Sequence, residues 1–73
     1  MSSPIRVLHR GSRGIWYHAL DGPILQFQTW RWTAMSTFQW RDGYWVLGDR
    51  WGPGAPGAVP RFIARRAALL RVR

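Results

Sequence analysis

A chain of 73 residues is long enough for one small domain. Because it contains no cysteine, it can form neither disulfide bonds nor thiolate metal sites. Its 11 basic residues are all arginine and face three aspartates and no glutamate, which gives a net charge of +8 and indicates an anionic partner. No apolar run is long enough for a signal peptide or a membrane span, so we expect a cytoplasmic protein, or a virion component if the chain belongs to a particle.

The N-terminal part of the chain has the aromatic and β-branched content of strands, punctuated by Asp-Gly pairs. The segment IRVLHR, residues 5–10, predicts the first strand. The pair Asp21-Gly22 is typical of a type I′ hairpin turn, in which both central residues need positive φ. With that turn, Tyr17 pairs with Gln26 on one face of the hairpin. The opposite, apolar face then holds Trp16, His18, Leu20, Leu25 and Phe27.

Residues 30–40 alternate in a way that predicts one long, half-buried strand. Arg31 and Arg41 lie on its outward face. A bulge near residues 28–29 is needed, because the inward residues are odd-numbered before it and even-numbered after it. The alternative is an irregular turn within residues 28–37. The inward face of the long strand would hold Trp30, Trp32, Ala34, Ser36, Phe38 and Trp40.

The second Asp-Gly pair, Asp42-Gly43, predicts another type I′ hairpin. The residues that close this turn, Arg41 and Tyr44, pair with each other and face outward. The other face, which we expect to be core, holds Phe38, Trp40, Trp45 and Leu47.

The C-terminal part of the chain predicts a linker and then a helix. Residues 52–60, GPGAPGAVP, have the composition of an extended linker, and residues 61–73 are good helix formers that follow a proline. Arg66 lies in the middle of the apolar arc of this helix. Either its stem packs along the sheet with the guanidinium in water, or it faces an anion at the edge of the domain. The arc consists of Val59, Phe62, Ile63, Leu69 and Leu70.

These elements predict one domain that is mainly β with one C-terminal α-helix. Residues 1–51 form the hairpin core, residues 52–60 the linker, and residues 61–73 a basic helix packed on the sheet. The strands form either a small twisted antiparallel sheet or a partial barrel of the SH3-like or OB-like kind. A fold class of this sort carries no function by itself.

The ionisable residues do not indicate catalysis. Asp21 and Asp42 are explained by turn chemistry, and Asp49 has the setting of a turn or ion-pair residue. His18 falls on an apolar face, and His9 has no carboxylate near it in sequence. We therefore expect a protein that is not an enzyme, with no catalytic residue, no metal site and no cofactor.

Nucleic-acid binding is the function that the residue types favour most. Clustered arginines neutralise phosphates, and exposed aromatic rings or guanidinium planes stack on bases. A twisted sheet that presents tyrosine and arginine outward is a platform for a single strand of DNA or RNA, or for a duplex groove. The predicted contact residues are Tyr17, Arg31, Arg41, Tyr44, Arg65 and Arg66.

The main alternative is a non-catalytic structural or interaction subunit of a larger assembly, such as a phage particle or a multi-protein complex. Its partner would be an acidic protein surface, or further copies of the chain in a homo-oligomer. Binding to a membrane surface is disfavoured, because tryptophan and arginine alternate in TWRWT, residues 29–33, as they do on the two faces of a strand.

Overall fold

Five antiparallel strands form one open sheet in chain order, and a C-terminal helix packs on one of its faces. This computed structural model describes residues 5–19 and 24–71. The fold class predicted from the sequence is confirmed, in its open-sheet form. The elements are β1 (Ile5–Arg10), β2 (Gly14–Ala19), β3 (Ile24–Thr29), β4 (Met35–Arg41), β5 (Tyr44–Trp51) and α1 (Arg61–Arg71).

The strand registers predicted from the two Asp-Gly pairs are confirmed. Asp42 and Gly43 have φ angles of 49° and 86°, the left-handed values that a type I′ turn needs, and Arg41 pairs with Tyr44 across them. Strands β2 and β3 also pair in the predicted register. The Asp21-Gly22 turn lies outside the described residues. Asp-Gly chemistry therefore fixes which side chains of β4 and β5 share a face.

The long strand predicted over residues 30–40 is wrong in its first half. Strand β3 pairs with β2 without a bulge, residues 30–34 form a turn, and β4 begins at Met35. The alternative, an irregular turn within residues 28–37, is correct. The alternation of tryptophan with polar residues in this stretch is thus not the alternation of a strand.

Hydrogen bonds to Thr29 are the physical reason for this turn. The Thr29 hydroxyl accepts hydrogen bonds from the backbone N–H groups of Thr33 at 2.9 Å and Ala34 at 3.1 Å. The backbone N–H of Thr29 donates to the Ala34 carbonyl at 3.1 Å, and its carbonyl accepts from the N–H of Trp32 at 3.0 Å. A threonine hydroxyl that bonds nearby backbone in this way competes with ladder pairing. Trp30 and Trp32, predicted to face the core, are consequently 47% and 69% exposed.

The core lies between the inner face of the sheet and α1. The ring of Trp16 packs against Phe27 at a centroid distance of 5.1 Å and against Phe38 at 5.9 Å. Large aromatic side chains bury on the order of 150–250 Å² each, which lets a short chain build a core from few residues. The buried cluster comprises Leu8, Trp16, Leu25, Phe27, Phe38, Ile63 and Ala67, with Trp45 and Val59 packed against it.

The core residues predicted on the Asp42-Gly43 hairpin are buried to different degrees. Trp40 and Trp45 face each other edge to face at 5.1 Å and are half-buried. Leu47 shares their face but is 37% exposed, because it lies on the edge strand β5. The two tryptophans therefore belong to the margin of the core, and the prediction of a buried Leu47 is wrong.

The apolar arc predicted for the helix is also only partly buried. Ile63 and Ala67, four residues apart, are fully buried against the sheet, whereas Phe62 and Leu69 are 45% and 69% exposed. The inner face of the sheet already carries bulky rings, so a small side chain such as Ala67 lets the helix approach.

The predicted linker, residues 52–60, folds back against the sheet. The Ser36 hydroxyl donates a hydrogen bond to the Pro56 carbonyl at 2.6 Å, and the Arg50 Nε–H donates to the Ala55 carbonyl at 2.9 Å. Ala55 itself is 3% exposed. The segment thus forms one wall of the molecule at the end of β5.

Gly52→Ala is expected to destabilise the fold far more than Gly43→Ala. Both glycines have positive φ, 84° and 86°, so alanine at either position adds roughly 1–2 kcal/mol of backbone strain. A Cβ at Gly43 meets no atom within 4 Å, whereas one at Gly52 overlaps the Thr33 carbonyl oxygen and lies 2.6 Å from the Ala34 Cα. Urea unfolding measures the two free energies. Equal values would contradict the packing of residue 52 against the β3–β4 turn.

Candidate nucleic-acid interface

Three connections of the meander meet at one end of the sheet. These are the β1–β2 turn at residues 11–13, the β3–β4 turn at 30–34, and the segment that leaves β5 at 52–57. Two of them are joined directly, because the indole Nε1–H of Trp30 donates to the Gly11 carbonyl at 2.7 Å. We call this surface the arginine–tryptophan end and define it by Arg13, Trp30, Arg31, Trp32 and Arg50.

Trp32 is the most unusual residue of this surface. It has a φ of 60° and is 69% exposed. Bulky residues rarely adopt left-handed backbone, which costs roughly 1–2 kcal/mol, and such strained positions concentrate at functional sites. A large apolar ring is therefore held in solvent by a backbone conformation that a smaller residue would adopt at lower cost.

Trp30 presents a ring in a fixed orientation. Its hydrogen bond to Gly11 anchors the indole nitrogen while 47% of the residue stays exposed. The turn behind it is held by the Thr29 hydrogen bonds and by a further contact between the hydroxyls of Thr29 and Thr33 at 3.2 Å. A ring held in place before binding loses less conformational entropy when a ligand stacks on it.

A groove of about 600 Å³ opens beside this surface, between the β1–β2 turn and the folded-back segment. Core rings form part of its lining, and arginines flank it. We call it the basic groove and define it by His9, Gly11, Ser12, Arg13, Gly14, Trp16, Phe27, Arg50, Gly54, Ala55, Pro56, Gly57, Pro60 and Phe62.

Arg13 and Arg50 approach the groove from different sides. Arg13 belongs to the β1–β2 turn, and its Nη2 would lie 3.7 Å from a Cβ placed on Gly54. Arg50 is held by its Nε–H on the Ala55 carbonyl, which uses one of its five N–H donors, and its guanidinium borders Gly57. Both side chains are exposed, so their remaining donors face the groove and solvent.

Positive charge is concentrated at this end of the molecule. No acidic residue occurs in residues 11–13, 30–34 or 52–57. Asp42 lies in the β4–β5 turn at the opposite end of the sheet. Asp49 is next to Arg50 in the sequence. An anion that approaches this end therefore meets arginines with little competing negative charge.

The predicted contact residues Tyr17, Arg41 and Tyr44 lie on the outer face of the sheet, away from α1, but not together. Three strand spacings, roughly 14 Å, separate Tyr17 on β2 from Tyr44 on β5. The Tyr17 hydroxyl donates to the Gln28 side-chain oxygen at 3.3 Å, and burial raises the pKa of this hydroxyl. Tyr44 is 72% exposed beside Arg41 at the end of the sheet far from Arg31.

Of the predicted residues, Arg31 alone belongs to the arginine–tryptophan end. Arg65 is exposed on α1. Arg66 makes intramolecular contacts: its Nη1–H donates to the Leu8 carbonyl at 2.6 Å, and its guanidinium lies 5.7 Å from the centre of the Phe62 ring. Arg66 therefore ties α1 to β1, an arrangement that neither sequence interpretation of this residue included.

Sequence reasoning missed Trp30, Trp32, Arg13 and Arg50 as candidate contacts. The signal that could have found the first two is the change of parity between β3 and residue 30, together with threonines on both sides of the WRW triplet. No local signal exists for Arg13 and Arg50. They border the same groove because residues 52–57 fold back, which is a long-range contact.

Comparison of the chain with protein-family models, with curated proteins and with solved structures finds no match. Within residues 5–19 and 24–71, no group of three His, Cys, Asp or Glu side chains could hold a metal ion, and the helix of this part is not long and apolar enough to cross a membrane. The functional argument therefore depends on the arginines, tryptophans and groove of this surface.

Trp32→Asn is expected to leave the free energy of unfolding unchanged or to raise it by up to about 1 kcal/mol, because asparagine tolerates left-handed backbone better than tryptophan. Trp16→Asn, the same change at a ring that is 5% exposed, should lower it by at least roughly 3 kcal/mol. Thermal and urea unfolding report both values. A large loss of stability in Trp32→Asn would mean that this ring is part of the packing.

Proposed function

We propose that this protein binds nucleic acid through the arginine–tryptophan end. The observation that carries the proposal is the joint placement, at one end of the sheet, of the exposed Trp30 and Trp32 and of three arginines, two of them on turns and Arg50 near the end of β5. The outward position of these rings is unfavourable for a small domain that needs apolar burial. A ligand with flat apolar faces and negative charge would compensate for both properties.

The two residue types address the two parts of a nucleotide. Guanidinium groups bind phosphate oxygens with paired N–H donors and release counterions from the strand. Tryptophan rings stack on bases, which is worth roughly 1–3 kcal/mol per base and tolerates any sequence. Arg31 lies between Trp30 and Trp32 in the chain, so a phosphate contact is available next to each stacked base.

Arg41 and Tyr44 remain predicted contacts, but the proposal does not depend on them. This pair lies at the other end of β4, whose seven residues span roughly 20 Å. A strand bound at the arginine–tryptophan end reaches this pair only by crossing the outer face of the sheet. These two residues therefore serve as controls that separate the two candidate surfaces.

A second candidate is an interaction subunit that binds an acidic protein surface in a larger assembly. The open edges of β1 and β5 and the exposed Ile5, Val7 and Val46 support it, because unpaired edges and apolar patches favour association. A net charge of +8 opposes association of identical copies and favours an acidic partner over a homo-oligomer. Sedimentation of the protein with an oligonucleotide and with an acidic polypeptide such as polyglutamate distinguishes the two candidates: binding of the oligonucleotide alone supports the first, and binding of the acidic polypeptide alone supports the second.

The logarithm of the binding constant for a mixed-sequence oligonucleotide should fall linearly with the logarithm of the salt concentration. Arg13→Ala and Arg31→Ala should each make this slope less steep. One lost phosphate contact lowers the slope by roughly 0.7–0.9. Arg41→Ala is the matched control, because it removes one arginine from the opposite end of the sheet. Fluorescence anisotropy at several salt concentrations measures the slopes. A greater effect of Arg41→Ala than of the other two would move the interface to the outer face.

The variant Trp32→Asn should also lose affinity for a single-stranded oligonucleotide by about 5- to 150-fold, the equivalent of one stacked base. Its fold is expected to remain stable, so the loss would come from the missing ring. Tyr44→Asn is the control, because it removes an exposed aromatic ring at the opposite end of the sheet. Anisotropy titration at about 50 mM salt reports the affinities. Unchanged affinity in Trp32→Asn would exclude this ring as a stacking surface.

A further inference from the structure

The basic groove combines an apolar interior with a charged rim, which is the composition of a small-molecule pocket. Its volume of about 600 Å³ falls within the range of roughly 300–1,000 Å³ for such pockets. Trp16, Phe27 and Phe62 supply rings to its lining, and Arg13 and Arg50 supply positive charge. This combination suits a ligand that has one flat apolar part and one anionic part.

We infer that the basic groove takes up one unstacked nucleotide, so that the ligand of this protein is single-stranded rather than duplex nucleic acid. The inference rests on the proposed function and deepens it. In a duplex each base is paired and stacked on both faces, and its apolar faces are out of reach of a groove. A base of a single strand turns outward at little cost.

His9 adds a directed donor to this groove. Its ring packs edge to face on Phe62 at 5.0 Å, and its Nδ1 lies 3.5 Å from the Nη1 of Arg66, which can only donate. In a neutral imidazole the proton then resides on Nε2. That nitrogen borders Gly11, where an added Cβ would lie 3.1 Å from it. An Nε2–H beside the turn can donate to a base carbonyl or a phosphate oxygen.

The groove continues into the arginine–tryptophan end. A second, shallower depression is lined by Trp30 and Arg31 and shares Ser12, Arg13 and Gly54 with the basic groove. A strand that leaves the groove therefore passes Arg13 and arrives at the ring of Trp30. One nucleotide in the groove and the next on the tryptophans are compatible with one continuous backbone.

Gly57 offers a way to close the groove without changing the core. Its φ lies outside the left-handed region, and the nearest atoms to an added Cβ belong to the guanidinium of Arg50, with Nη1 at 3.4 Å. Gly57→Leu thus places a side chain in the groove. Ala58→Leu is the matched control, because Ala58 is exposed and borders a different depression, beside Trp40 and Trp45.

The experiment compares a labelled single strand of about 12 nucleotides with a blunt duplex of the same sequence, a length within the site sizes of roughly 4–16 nucleotides for single-strand binders. The wild-type protein should bind the single strand at least about tenfold more tightly. Gly57→Leu should lower affinity for the single strand by about tenfold and leave duplex affinity unchanged. Ala58→Leu should change neither affinity. Circular dichroism and urea unfolding verify the fold of each variant.

Equal affinity for the duplex, or an unchanged single-strand affinity in folded Gly57→Leu, would overturn this inference and leave the proposed function standing. Binding of neither ligand would overturn both. If Gly57→Leu does not fold, His9→Phe takes its place, since it keeps a ring against Phe62 and removes the Nε2–H donor. A loss of single-strand affinity of at least about threefold in that variant supports the groove, and no loss contradicts it.

Discussion

The hydroxyl and backbone of Thr29 fix the connection between β3 and β4, and the arginine–tryptophan end depends on that connection. Hydrogen bonds of its hydroxyl and its backbone link Thr29 to Trp32, Thr33 and Ala34, and they remove residues 30–34 from the sheet. Trp30 can then reach the Gly11 carbonyl, and Gly52 can pack against the Thr33 carbonyl. With a continued strand in place of this turn, the tryptophans would point to the core and the three connections would not meet.

Five of the six tryptophans fall into three groups by their burial, and the sixth, Trp51, is 50% exposed at the end of the edge strand β5. Trp16 is buried and supplies packing area to a core of few residues. Trp40 and Trp45 pack edge to face at the margin of that core, next to the edge strand β5. Trp30 and Trp32 contribute little burial and are displayed on a turn. A domain of this size gains stability from every ring that it buries, so the exposure of Trp30 and Trp32 supports the proposed role of these rings in binding.

The hairpin registers followed from the sequence because Asp-Gly turn chemistry is local and sets the pairing of the residues next to the turn. In β4 and β5 this pairing holds as far as Phe38 and Leu47, and the register shifts between Phe38 and Ser36. The β3–β4 turn could not be predicted in this way, because alternating polar and apolar residues are compatible with either a strand or an exposed turn. The side-chain hydrogen bonds of Thr29 decide between the two. On the helix, Ile63 and Ala67 are buried because residues four apart share the face that meets the sheet, and Leu69, two residues beyond Ala67, lies on another face. The basic groove could not be predicted from the sequence, because the segments that form its walls are far apart in the chain.

The packing of α1 on a meander has a consequence for how this chain folds. Every strand pairs with its neighbour in sequence, so the sheet consists of local contacts that form early and quickly. The helix that covers Trp16, Phe27 and Phe38 is instead joined to β1 by the bond from Arg66 to Leu8, across 58 residues. Until α1 packs on the sheet, the paired strands therefore present a bare aromatic face. In that interval the sheet depends on its solvation, or on other molecules, to avoid aggregation.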